Sequence, residues 1–167
     1  CASFVLVCFV GHCTSTPSTR KLISGEASKV QPDEHRNVVK LVLYFGTQRG
    51  DRISGIYESV CTGTLISPGA ILTAAHCVKS SGQILLYKDD LPETKQHFAS
   101  YVMFPGKTEK IYIYNWRSHP WYTAGMIRIS YHDDIAVVGL EKCITDTVPV
   151  TLSQSDDLTC MAGEAVG

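Results

Sequence analysis

The chain is expected to fold as an all-β domain, a barrel or sandwich of short strands. Three observations lead there. Apolar, β-branched and aromatic runs recur along the chain with turn-forming residues between them. No long stretch carries apolar residues at helical spacing. Short strands joined by turns, without helices between them, are the pattern of barrels and sandwiches. The 167 residues are a one-domain length, and 44% hydrophobic content is enough for a real core. Seven cysteines are too many for a typical cytosolic protein of this size and point to an oxidising compartment. A net charge of −1 gives no basic surface for nucleic acid or anionic lipid.

Taken in order, ASFVLVCFVG (Ala2 to Gly11) is a continuous apolar run followed by small and polar HCTSTPST. It reads as the core and cleavage region of a secretory signal peptide over 1–16 whose beginning is missing. A buried strand is the alternative. The run is shorter than the roughly 20 apolar residues that cross a bilayer, so no membrane span is expected. If the leader is removed, Cys1, Cys8 and Cys13 leave with it, and Cys61, Cys77, Cys143 and Cys160 remain. A polar, turn-rich stretch with a dibasic step at Arg20-Lys21 follows. VVKLVLYF (38–45) is a strand bounded by Gly46, and TQRGDRISG (47–55) is a loop, its Arg-Gly-Asp tripeptide read as solvated. CTGTLI (61–66) and ILT (71–73) are strands joined by the turn SPGA. Further strands are expected at ILLY (84–87), HFASYVMF (97–104), KIYIYNW (110–116), which alternates with period two, and DIAVVGL (134–140). Residues 141–157 read as an extended connector, and LTCMAGEAVG (158–167) opens like a new strand.

Four of these stretches resemble the trypsin-like, chymotrypsin-fold serine proteases. CTGTLISPGAILTAAHC (61–77) resembles the strand–turn–strand that leads into the family's catalytic histidine. DDIAVVGL (133–140) resembles the segment of its catalytic aspartate, RKLISG (20–25) its activation site, and SHPWY (118–122) its His-Pro-x-Tyr stretch. They occur in family order from about Lys21 to the end. The resemblance implies the first six-stranded antiparallel β-barrel of a two-barrel protease, its linker, and the first strand of the second barrel. It divides the chain into a leader (1–16), a short pro-segment (17–21) and a peptidase domain (22–167) truncated at its C-terminus.

The resemblance makes His76 the general base, a role that needs a ring titrating near neutrality. It makes Asp134 the carboxylate that orients the ring. Asp133 is the adjacent competitor, and the family pattern, with the acid directly before the Ile-x-x-x-x-Leu strand, selects Asp134. It pairs Cys61 with Cys77, 16 residues apart. Two free thiols or a metal pair are the alternatives, and zinc is disfavoured by the absence of Cys-x-x-Cys spacing. A cluster of His76, His119 and His132 also matches no zinc signature, so no metal and no cofactor are expected. Activation would cut between Lys21 and Leu22, with Ser24 standing where the family has a glycine; an exposed dibasic linker is the alternative. No Gly-Asp-Ser-Gly-Gly stretch and no Gly-x-Ser-x-Gly elbow is present among the 167 residues. CMAGEAVG lacks the tryptophan of the family's Cys-x-x-Gly-Trp-Gly strand, and the partners of Cys143 and Cys160 stay open. The implied protein is a secreted serine endopeptidase, here without its nucleophile and so inactive as a fragment. Its partners would be protein or peptide substrates, an activating protease and protein inhibitors. The alternative is a non-catalytic homologue acting as a secreted binding module.

Overall fold

β1 (Val38–Arg49) forms where β-branched, aliphatic and aromatic residues crowd together. It packs Val39, Leu41, Leu43 and Phe45 into the core, while Lys40 remains exposed. This computed structural model describes residues 35–50, 52–122 and 133–152. The leader, the pro-segment, Lys21, Leu22, Asp51, His132, Cys160 and the strand expected from 158 lie outside the described residues.

β2 (Arg52–Ser67) returns antiparallel to β1 with Arg49 opposite Arg52. The loop expected at 47–55 is therefore the end of a long hairpin. Gly50, at φ +59°, supplies the left-handed residue of the tight turn. The ribbon was illegible as strand because residues 48–50, 52, 54 and 55 are exposed, so no apolar alternation marks it.

β3 (Ala70–Thr73), the single helical turn α1 (Ala75–Val78) and the two-residue β4 (Ile84–Leu85) follow. The run expected as one strand over 97–104 divides in two. Glu93–Phe98 forms a 3₁₀ helix behind Pro92, whose ring presets the entry dihedral, and only β5 (Tyr101–Met103) joins the sheet. Fully buried Ser100 sits at the junction, where its hydroxyl accepts the Tyr44 N–H at 3.0 Å. β6 (Ile111–Ser118) and β7 (Ala136–Leu140) complete the set.

Pairing runs β1–β2–β3–β7–β6–β5 and then back from β5 to β1, every pair antiparallel. The six strands thus close a barrel. β4 is an extra strand lying against the far end of β1. The six strands close on themselves, while the part of β2 before Thr64 pairs with β1 alone. Leu41, Leu43, Leu65, Ile71, Val102, Ile113 and Val138 fill the interior with almost no exposure. Gly63 lets two strands approach closely: a Cβ there would stand 2.7 Å from Leu41 Cδ1. A smaller cluster of Leu86, Leu91 and Ala99 packs with Tyr44, Phe98 and Tyr112. Residues 141–152 carry no regular element, matching the expected connector. Among the described residues no helix is long and apolar enough to cross a membrane.

Candidate active site

β3 and β7 are antiparallel neighbours with Thr73 opposite Ala136. The chain therefore leaves β3 and enters β7 at the same end of the barrel. His76, just after β3, and Asp134, just before β7, meet there although 58 residues separate them. α1 aims the histidine. Ala75, Cys77 and Val78 are its buried residues, which leaves His76 on the outer side of the turn. Fully buried Ala75 is small enough for that turn to settle directly on the core.

His76 Nδ1 lies 2.6 Å from Asp134 Oδ2, and the His76 backbone N–H donates to Oδ1 at 2.8 Å. An ionised carboxylate only accepts, so the ring proton belongs on Nδ1 and the lone pair on Nε2. That tautomer can take a proton from a hydroxyl. The His76 side chain is 63% exposed and that of Asp134 31%, which sets the pair at an open rim. Burial alone would raise the Asp134 pKa. The ring hydrogen bond from His76, the His76 amide, the His76 charge and the Ala75 amide outweigh burial and hold the carboxyl below the ordinary aspartate value. The contribution of Ala75 has no signature in sequence, because it comes from main chain.

Asp133, the rival carboxylate, is turned elsewhere. Its backbone is left-handed at φ +70°, a conformation that aspartate tolerates better than most residues. Its Oδ1 stands 3.3 Å from Nδ1 of His119, which is only 9% exposed. The His-Pro-x-Tyr stretch flagged this histidine, but not its partner.

Cys61 and Cys77 form a disulfide with their Cα atoms 6.2 Å apart, closing the β2–β3 hairpin beneath His76. Thr73 Oγ1 adds a second tie by donating to the Thr62 carbonyl at 2.9 Å. Donor atoms of Cys61, His76 and Cys77 lie within 4.8 Å of one another. Both sulfurs are bonded to each other, however, and offer no thiolate to a metal. At the other end of α1, Lys79 Nζ donates to the Tyr122 carbonyl at 3.0 Å. Burial first, and the Asp134 charge second, push the Tyr122 phenol up from its ordinary pKa.

Residues 41–166 match the family model described as Trypsin. The chain belongs to the trypsin family. The matched range includes both members of the His76–Asp134 pair, the disulfide and the six barrel strands apart from the first residues of β1. No curated protein matches this trypsin-family chain. Among solved structures, neuropsin, a serine protease expressed in the limbic system of mouse brain, aligns with a TM-score of 0.48 at 18% identity. The alignment covers 75% of this chain and 47% of neuropsin, so the trypsin-family chain spans about half the length of that structure.

Proposed function

We propose that the chain supplies the histidine–aspartate half of a secreted serine endopeptidase. The hydrogen bond between His76 Nδ1 and Asp134 Oδ2 carries this reading, because it leaves Nε2 as the basic atom at an open rim. In the reaction, His76 would take the proton of a serine hydroxyl during attack on the scissile carbonyl and return it to the leaving amine. Asp134 would keep the ring in its tautomer and stabilise the imidazolium formed between the two transfers. The serine would come from a part of the protein outside these 167 residues. Secretion is supported by the apolar leader and the Cys61–Cys77 disulfide. Cleavage between Lys21 and Leu22 by an activating protease would release the working enzyme, whose substrates would be proteins or peptides and whose inhibitors would be proteins.

The test uses the full-length protein after cleavage at Lys21. The expected result is turnover of peptide substrates and covalent labelling by a serine-directed fluorophosphonate. His76→Ala should lower turnover by on the order of 10⁴-fold or more. Full turnover in the His76→Ala protein overturns the mechanism. No labelling and no turnover in the native protein favours a non-catalytic homologue that acts as a binding module.

A further inference from the structure

We propose that His119 and Asp133 act together as positioning residues for Asp134, an inference that rests on the His76–Asp134 pair being the working dyad. Asp134 lies between two residues that are both tied to His119. On one side, His119 Nδ1 is 3.3 Å from Asp133 Oδ1. On the other, the His119 N–H donates to the Ile135 carbonyl at 2.8 Å. Between these ties, the Ile135 N–H donates back to the Asp133 carbonyl at 2.8 Å, closing a three-residue turn with Asp134 at its centre. Asp133 enters that turn at φ +70°, a strained setting for a residue with a side chain unless its surroundings hold it there.

His119 is suited to the holding. It is nearly buried, so water competes weakly for its polar atoms. The Trp121 N–H also approaches Nδ1, at 3.4 Å. The Asp133 carboxylate is the closer of the two and forms an ion pair with the ring when the imidazole is protonated. The His119 carbonyl accepts the Tyr122 N–H at 3.0 Å, and the Tyr122 carbonyl accepts Lys79 Nζ at 3.0 Å. Lys79 directly follows α1, the turn that carries His76, and its N–H returns to the Ala75 carbonyl at 2.9 Å. The contacts therefore form a ring, from His76 through α1, Lys79, Tyr122, His119 and Asp133 to Asp134, which bonds His76 again. Each dyad member is located by the same circuit, and His119 is the link that grips the acid from both sides.

The experiment is proton NMR on the full-length protein, following the far-downfield Nδ1–H resonance of His76 that its bond to Asp134 produces. His119→Ala is expected to abolish this resonance in a protein that remains folded by circular dichroism. His119→Asn is expected to retain it, because its side-chain amide can donate to Asp133 from near the position of Nδ1. Should His119→Ala fail to fold, Asp133→Gly keeps the left-handed backbone, removes only the carboxylate, and is expected to lose the resonance too. A resonance unchanged in His119→Ala or Asp133→Gly overturns the inference, as does its equal loss in His119→Asn. The signal reports the His76–Asp134 bond whether or not peptide is hydrolysed. An unchanged resonance thus leaves the proposed activity standing, and an absence of turnover leaves the positioning inference standing.

Discussion

At the residue scale, one choice between neighbours defines the site. Asp133 and Asp134 carry the same side chain, and only the backbone separates their roles. A left-handed dihedral at Asp133 sends its carboxylate to His119, and the next residue delivers its own to His76. The consequence for pH follows from the lowered pKa of Asp134. A carboxyl whose folded pKa lies below its unfolded one stabilises the fold above the ordinary carboxylate range. That stability disappears as pH falls through the lowered folded value. Asp134→Asn removes this contribution. The gap between native and Asp134→Asn urea midpoints is therefore expected to be widest near neutrality and to narrow progressively in acid. A gap that stays constant down to the acid transition would contradict the assignment of the favourable hydrogen bonds to the ionised carboxylate.

At the element scale, the β2–β3 hairpin and the helical turn behind it act as one unit. The disulfide joins β2 to the residue immediately after His76, so it limits how far the imidazole can drift from the barrel rim. Closing a loop of 16 residues stabilises by about 3 kcal/mol when the bridge fits without distortion. Replacing both Cys61 and Cys77 by serine is expected to lower the unfolding free energy by roughly that amount in denaturant titrations. The same replacement should weaken the His76–Asp134 contact, read from the downfield His76 proton. This hairpin was plain in the sequence because apolar strands flank a Pro-Gly turn. The β1–β2 ribbon was hidden because exposed residues at 48–50, 52, 54 and 55 break any apolar alternation, although Ile53 and Ile56 pack against the small cluster of Leu86, Leu91 and Ala99. The division of 97–104 was hidden for a related reason: buried Ser100 takes part in cross-strand bonding that apolar periodicity does not register.

For the whole molecule, barrel closure turns local pattern into a site. β1 pairs with β2 and also with β5, so the sheet closes on itself and fixes the registers that bring the ends of β3 and β7 together. Closure also buries tyrosines at the barrel surface. Burial, with the Glu58 hydrogen bond and charge and the Tyr101 charge adding to it, pushes Tyr44 up to about 12. Burial and the Asp90 charge do the same for Tyr87, to about 12. An acid that is harder to ionise when folded leaves stability intact below its unfolded pKa, near 10, and withdraws it as pH rises from there toward the folded value. Ultraviolet titration of the native protein is expected to show at least two phenols, those of Tyr44 and Tyr87, ionising well after the exposed ones. Stability should decline over the same alkaline interval. Two phenols that titrate with the exposed set would show that the packing around β1 and β4 is looser than described.

The all-β class, the strand–turn–strand ahead of His76 and the residue types able to share a proton were legible in the order of residues alone. These depend on neighbours a few positions apart, where alternation, β-branching and turn residues act directly. The sequence also singled out Asp134 over Asp133, but through family resemblance and not from the physics of the two residues. What each aspartate faces, the contribution of the Ala75 amide to the carboxylate, and the contacts of His119 with both flanks of Asp134 emerge only from the folded chain. Those contacts depend on the register of strands far apart in the chain. Register is set when the barrel closes around its core, and no short window of sequence contains it.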